Sequence, residues 1–274
     1  MNRLVANNMD DIYREICDRL LKDGAKVNNT LELNNFSFTL TDIKNNIINI
    51  RNISKSYLFG ELLWYMTARN DIDFIQKFSG FWGRISDDGV TSNSAYGHIL
   101  FKRHGFDQVH KIIELLIADS NSRRAVLNFN VPNPNVIETK DEICTIALQM
   151  YIRDGKLNCT GIMRSNDIWL GTPYDVAFFT ELQKYIAHRV GVEYGTYTHF
   201  VTSIHAYDRN FDDLVGVLTR KPASRLTVDI EKLDKMKFTL DALVCESATP
   251  KADVIKYFKD YGICQEEVYE NPCN

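Results

Sequence analysis

The sequence predicts an α+β fold built on a largely antiparallel or mixed sheet, and three observations carry that expectation. Apolar residues recur at helical spacing in several separate segments, and a run of period-two alternation straddles an Asp-Gly pair. The helical and extended segments also fail to alternate strictly, as they would around a purely parallel sheet. With 274 residues, of which 45% are hydrophobic and 25% charged, the chain is long enough to bury a large core. There are only six prolines and no repeat or low-complexity tract, so no linker is marked and residues 1–274 read as one domain.

Taken in order, the first helix is expected over Asp10 to Leu21. Asp10 is a capping residue type, Ile12, Ile16 and Leu20 share a face, and Gly24 follows the end. A second helix runs from about Ser54 to Thr67, with Tyr57, Leu58, Leu62 and Tyr65 at helical spacing. Val109, Ile112, Ile113, Leu116 and Ile117 mark a third, ending at the polar loop Asp119-Ser120-Asn121-Ser122. From Cys144 to Arg164 the pattern changes. Ile146, Leu148, Met150 and Ile152 alternate with Thr145, Ala147, Gln149 and Tyr151, and after Asp154-Gly155 the alternation resumes through Leu157, Cys159 and Gly161. Period two on both sides of Asp-Gly is the pattern of a β-hairpin. Pro173 suits the first turn of a long helix that buries Val176, Phe179, Leu182, Tyr185 and Ile186 and stops at Gly191. Thr196 to Tyr207 reads as a strand, and Phe211, Leu214 and Leu218 as a further helix.

Several classes of function are disfavoured by composition. The net charge of −4 gives no global electrostatic case for nucleic-acid binding. No apolar run reaches the roughly 18 residues of a membrane span, and the start, Met1-Asn2-Arg3-Leu4, is too polar for a secretory signal. Cys17, Cys144, Cys159, Cys245, Cys264 and Cys273 are scattered without a C-x-x-C pair, which argues against a metal site or a disulfide framework. The expectation is a cytoplasmic protein with neither a membrane nor a nucleic-acid partner.

A few residues have chemical interest. Glu61 sits among Leu58 and Leu62 in a strongly apolar helix, so it is either a partly exposed carboxylate or a buried acid suited to proton handling. Arg123 and Arg124 lie between a helix and a strand, as a solvated pair or an anion site. Arg164-Ser165-Asn166-Asp167 closes the hairpin and offers a guanidinium, a hydroxyl and a carboxylate in one turn. Taken alone, Cys144 reads as a small buried hydrophobe, and His205 and Tyr207, two apart in a strand, as packing residues on one face.

Together these positions resemble the thymidylate synthase superfamily. The string MRSNDIWLGTPYD, Met163 to Asp175, is similar to the family's Arg-Ser-x-Asp-x-x-Leu-Gly-x-Pro-(Phe/Tyr)-(Asn/Asp) signature. Glu61-Leu62-Leu63-Trp64, Phe81-Trp82, Ala95-Tyr96-Gly97 and Ser122-Arg123-Arg124 lie upstream, and Ile204-His205-Ala206-Tyr207 matches the family's His-x-Tyr. The resemblance covers roughly residues 10 to 220, leaving 221–274 as a family-variable part. It implies a thymidylate synthase-like fold, a homodimer with the sheet at its interface, and 5,10-methylenetetrahydrofolate as co-substrate. Cys144 would add to C6 of a pyrimidine nucleotide monophosphate, giving C5 carbanion character, with Tyr96 close to the thiolate. Arg164 and Ser165 would bind the 5′-phosphate, helped by Arg123 and Arg124 reaching into the other subunit's site, and His205 and Tyr207 would hold the 3′-hydroxyl. Glu61 would order water and assist proton transfers and, with Trp82, Asp167, Leu170, Gly171 and Tyr174, line the folate site. The arginine usual near the start of these chains has no clean match, and Lys26 is the nearest basic candidate for that phosphate contact.

Three departures from the family's synthases refine the expectation. Synthases place asparagine at the position of Asp175, where its amide donates to uracil O4 and accepts from N3–H. A carboxylate instead accepts from the amino group of cytosine and from a protonated N3. The residue after Cys144 is Thr145, where synthases carry histidine and the dCMP hydroxymethylases do not. The chain ends in the polar Glu270-Asn271-Pro272-Cys273-Asn274 rather than an apolar tail that keeps water out. A wetter site favours water over hydride at the one-carbon unit on C5, giving hydroxymethyl rather than methyl. Ser165 and the Arg123-Arg124 pair keep the deoxynucleotide pattern. The expected function is therefore dCMP 5-hydroxymethyltransferase. Its alternatives are a CMP hydroxymethylase of a nucleoside-antibiotic pathway, a thymidylate synthase acting on dUMP, and a non-catalytic nucleotide-binding dimer.

Overall fold

The computed structural model describes residues 3–269. The polar terminus Glu270–Asn274, on which the water-access expectation rests, lies outside the described residues, as do Cys273 and the start, Met1-Asn2. In chain order the elements open with β1 (Arg3–Ala6), α1 (Met9–Asp23), β2 (Ala25–Val27), β3 (Thr30–Leu40) and α2 (Lys55–Met66). Four short or medium helices follow, α3 (Ile72–Ile75), α4 (Phe81–Ile85), α5 (Tyr96–Phe101) and α6 (Gln108–Ala118). Next come β4 (Val126–Asn128), β5 (Thr145–Arg153), β6 (Lys156–Asp167), α7 (Thr172–Val190) and β7 (Glu193–Tyr207). The chain closes with α8 (Phe211–Thr219), β8 (Ser224–Val228), α9 (Ile230–Glu246), α10 (Pro250–Asp260) and β9 (Cys264–Val268).

The main sheet runs β1-β3-β7-β6-β5-β4, with β2 added to β3, and β8 and β9 form a second, two-stranded sheet. It is mixed: β5–β6 and β3–β7 are antiparallel, whereas β6–β7 and β1–β3 are parallel. The Asp-Gly turn is where alternation places it, with Asp154 and Gly155 at φ 52° and 71°, the left-handed pair that a two-residue hairpin requires. Gly191 closes α7 at φ 81°.

Two of the local readings are corrected. The cap of α1 is Asn8, whose side-chain oxygen accepts from the Asp11 N–H at 2.8 Å. Asp10 lies inside the first turn, where its carboxylate accepts from the N–H groups of Asn49 (2.6 Å) and Ile50 (3.0 Å). It thereby satisfies backbone in the irregular segment before α2. Arg164 to Asp167 belong to the extended run of β6, and the turn comes after them, at 168–171.

The core lies between the sheet and the central helices. α2 is buried from Leu58 to Met66, including Glu61, and α7 buries Val176, Phe178, Phe179, Leu182 and Ile186. Stacked and tilted rings join α2, α5 and α7: Tyr65 lies 4.6 Å from Phe178 and 5.4 Å from Tyr96, and Tyr96 lies 5.8 Å from Phe179. Contacts of this kind add to area burial and fix the relative positions of the three helices, and each of the three carries a residue of the site. Outside them, Phe258 of α10 stacks on Phe59 of α2 at 4.3 Å. No helix among the described residues is long and apolar enough to cross a membrane.

Candidate active site

Cys144 stands just before β5, directly beside Arg164 of β6, whose backbone N–H donates to the Cys144 carbonyl at 2.9 Å. The guanidinium then folds back beside the Cys144 sulfur. Its Nε donates to the Ile143 carbonyl at 3.0 Å, and Nη2 donates to the Glu142 carbonyl at 2.8 Å and lies 3.5 Å from Cys144 Sγ. Burial pushes the thiol up to about 11, against the pull of Arg164, and the carboxylates of Asp175, Asp141 and Glu142 raise it further. In the free protein Cys144 is therefore a thiol with one cation in place to favour its thiolate.

Asp175 is in the first turn of α7. Its Oδ2 accepts from Asn166 Nδ2 at 2.8 Å, and Asn166 Oδ1 accepts from the Thr172 hydroxyl at 2.6 Å, which fixes the orientation of that amide. On the other side, the Tyr96 hydroxyl accepts from Thr145 Oγ1 at 2.9 Å and donates to Asp175. Burial raises the Asp175 carboxyl to about 7, the bonds from Asn166 and Tyr96 oppose that rise, and Asp167 adds to it. Gly171 is required here. A Cβ on it would stand 2.8 Å from Asn166 Nδ2 and 3.0 Å from Asp175 Oδ2.

Glu61 is the second raised acid. Its Oε1 accepts from the Tyr57 hydroxyl at 2.6 Å and from the Tyr65 hydroxyl at 3.3 Å, and Tyr57 accepts from Trp82 Nε1 at 3.1 Å. Burial dominates and lifts the carboxyl to about 8, Tyr57 and Tyr65 oppose it, and Asp175 adds to it. Both acids bind a proton more tightly folded than unfolded. Their contribution to stability is thus full below about pH 4 and is lost as pH rises through 7 and 8. Glu61→Gln cannot ionise, so its stability relative to the native chain improves as pH rises from 5 to 8. Denaturant midpoints across that range test this, and a pH-independent difference would count against a buried acid.

The remaining expected residues divide into those that join this cluster and those that do not. Ser165 Oγ lies 3.5 Å from His205 Nδ1, the register pairs Asp167 with His205, and the His205 and Tyr207 rings meet edge to face at 5.5 Å. Asp167 Oδ1 accepts from the N–H groups of Trp169 (2.7 Å) and Leu170 (3.2 Å), holding the turn that leads to Gly171. Tyr174 is buried, accepts from the Ser54 N–H at 3.2 Å and meets the Tyr57 ring edge-on at 4.7 Å. Leu170 is exposed. Lys26, on β2, is exposed at the sheet end that carries Tyr207, with its ammonium 5.2 Å from the Phe211 ring.

Arg123 and Arg124 stay apart from the cluster. They are exposed, and the loop that carries them adjoins β5 near Gln149 and Met150. At ~3.3 Å per residue that is roughly 17–20 Å along the strand from Cys144.

Three participants escaped the sequence reading. Tyr57 was legible only as part of an apolar face, although its spacing of four from Glu61 puts both on one side of α2. Asn166 stood inside the quoted signature without a role. Arg51 gave no sign at all. It is buried, stacks 3.8 Å over the Trp169 ring, and donates to the Tyr13 hydroxyl at 3.0 Å and to the Trp169 carbonyl. Among the described residues no group of His, Cys, Asp or Glu could hold a metal ion.

Comparison with known proteins gives concordant results. The thymidylate synthase sequence profile matches residues 6–256, past the last motif recognisable by eye. A deoxyuridylate hydroxymethyltransferase of Bacillus phage SP01 is 31% identical over 196 residues, covering 67% of this chain and 48% of that protein. A protein of the same description from Pseudomonas phage M6 is 36% identical over 152 residues, covering 54% of this chain and 43% of that protein. The chain thus spans about half the length of the curated relatives it matches. Among solved structures, thermostable thymidylate synthase A from Bacillus subtilis superposes with a TM-score of 0.69 at 25% identity, covering 82% of this chain and 89% of that one.

Proposed function

Because the chain belongs to the thymidylate synthase family, we propose that it hydroxymethylates C5 of a pyrimidine nucleotide monophosphate, dCMP, with 5,10-methylenetetrahydrofolate as co-substrate. The observation that carries the reading is a half-buried carboxyl, Asp175, held by Asn166 and Tyr96 in the cluster that also holds Cys144 and Glu61.

The residues present fit a folate. Trp82 and Tyr174 offer aromatic surface, Leu170 an exposed apolar one, and Asp167 Oδ2 makes no hydrogen bond among the described residues and is free to accept from a ligand N–H. The folate supplies a one-carbon unit. Cys144 Sγ, deprotonated beside Arg164, forms a bond to C6, which pushes electron density to C5, where the new carbon attaches. Asp175 shares a proton with N3 and accepts from the C4 amino group, so the ring is drained of electrons as the thiolate arrives. Glu61 exchanges protons with ordered water. C5 would lose its proton as the carbon–nitrogen bond to the folate breaks and tetrahydrofolate departs. Water rather than hydride would add to the exocyclic methylene left on C5, and the Sγ–C6 bond would break to restore the ring and free Cys144. The Thr145 hydroxyl, bonded to Tyr96, occupies the place after the cysteine where the family's synthases carry histidine. Ser165 and Arg164 take the phosphate and His205 and Tyr207 the sugar. Arg123 and Arg124, exposed and without a carboxylate partner among the described residues, serve the partner subunit's phosphate in a homodimer.

A second reading has its own observation. A carboxyl raised to about 7 carries a proton part of the time, and a protonated carboxyl presents one donor and one acceptor, as uracil's O4 and N3–H require. The two phage relatives are described as acting on deoxyuridylate. A competition with equal dCMP, CMP and dUMP, read by product mass, decides. Hydroxymethyl-dCMP is the expected product. Hydroxymethyl-dUMP would transfer the reading to uracil, hydroxymethyl-CMP would change the sugar, and a methyl on dUMP would make the chain a synthase.

A further inference from the structure

We infer that Tyr57 is a positioning residue for Glu61. Held by the Trp82 indole, its hydroxyl occupies one carboxyl oxygen, Oε1, and leaves Oε2 as the atom that carries and exchanges the proton. This deepens the reading above and rests on it for the reaction that the proton serves.

The directions of the bonds are forced. An indole N–H can only donate, so in the 3.1 Å contact with Trp82 Nε1 the Tyr57 oxygen is the acceptor. The phenol proton is then left for the 2.6 Å contact with Glu61 Oε1. The Tyr65 hydroxyl donates to the same oxygen at 3.3 Å. Oε1 therefore accepts twice, whereas Oε2 makes no hydrogen bond among the described residues. When Glu61 is neutral, a proton on Oε1 would have to displace one of two O–H donors, and a proton on Oε2 displaces none. The spacing of four within α2 keeps Tyr57 and Glu61 on one side of the helix, and the edge-on contact of Tyr174 with the Tyr57 ring at 4.7 Å holds its rotamer. The titratable groups that face Glu61 are Tyr57 and Tyr65 from its own helix, Tyr96 from α5, and Asp175 and Tyr174 from α7. Among the described residues only Tyr57 and Tyr65 bond it directly. Tyr57 is also the one that connects the carboxyl to Trp82, a residue of the folate surface.

Tyr57→Phe in the full chain tests this by two readouts that a purely packing role would leave alone. The first is the titration midpoint of Glu61 in the free protein, followed by carboxyl carbon NMR with Glu61→Gln to identify its signal. Losing a donor to the carboxylate should raise it by about one pH unit. The second is turnover. kcat should fall roughly tenfold or more while KM for the nucleotide stays within about twofold, and the pH limb assigned to Glu61 should move with the midpoint. If Tyr57→Phe does not fold, Trp82→Phe, which leaves the phenol proton free to turn away, should shift the midpoint in the same direction by less. An unmoved midpoint in a folded variant, or a kcat and pH limb equal to those of the native chain, would overturn the assignment. A native chain that turns over no pyrimidine nucleotide would overturn the functional reading instead, and the free-protein titration would still decide the role of Tyr57.

Discussion

Replacing Cys144 with alanine should reduce turnover by on the order of 10⁴-fold or more while leaving the protein folded. The two halves of that expectation have separate grounds. No neighbouring group can substitute for the sulfur, because the other nucleophile nearest to it, the Thr145 hydroxyl, is buried and committed to Tyr96. The cost to the fold is small. The side chain is only half-buried, and its one hydrogen bond as donor, to the Glu142 carbonyl, is a long 3.8 Å contact. The carbonyls around it remain held by Arg164. Intact-mass measurement adds a direct check, since a nucleotide adduct should form on the native chain and be absent from Cys144→Ala. Activity that survives the substitution would remove the covalent mechanism and favour a dimer that binds nucleotides without transforming them.

The second large effect is expected at Asp175. Asp175→Asn changes little in shape, yet the ratio of turnover with dCMP to that with dUMP should fall by about 10² or more. Asn166 makes this variant well defined. Its amide is fixed by Thr172, so it continues to donate, and only the carbonyl oxygen of the new asparagine can accept that bond. The new NH₂ is then turned to the other side, where one N–H meets the Tyr96 hydroxyl, which turns to accept it, and the other donates to uracil O4 and meets the cytosine amino group as a second donor. Leaving such a donor pair unmatched inside a site costs more than a lost contact. An unchanged preference for cytosine, measured as relative kcat/KM, would show that Asp175 does not read the base.

The sequence revealed most where chemistry is local. The Asp-Gly turn, the Pro173 start and the Gly191 stop of α7 each follow from residues whose backbone preferences are strong, and each is where the pattern put it. The burial of Glu61 was one of two open readings, and the apolar flanks that suggested it are buried with it in α2. What the sequence hid depends on contacts across the fold. Asp10 is the capping type, but Asn8 caps because Asp10 is drawn to the backbone of Asn49 and Ile50, some forty residues on. Asn166 and Asp175 are nine residues apart, and only the turn at 168–171 brings them to 2.8 Å. Arg51 had no pattern to announce it, since its partners are an aromatic face, a phenol and a carbonyl. β3 alternates in two pieces, Leu31 and Leu33 and then Phe36, Phe38 and Leu40, and the irregularity at Asn35, with φ 51°, shifts the phase between them, so no single period of two runs through the strand.

The clamp that Arg164 forms over Glu142, Ile143 and Cys144 has a consequence for how an anion can be received. A guanidinium carries five N–H donors, and among the described residues the bonds to the two carbonyls and the sulfur all leave from Nε and Nη2. The outer edge, Nη1, is therefore still available. A phosphate can dock there without the arginine letting go of the long irregular segment that carries Cys144, so arrival of the ligand and placement of the sulfur are not rivals for the same hydrogens. A lysine, with three donors on a single atom, could not serve both sides at once. On the proposed reading the one planar group would be both a hinge pin for the chain and a landing point for the phosphate.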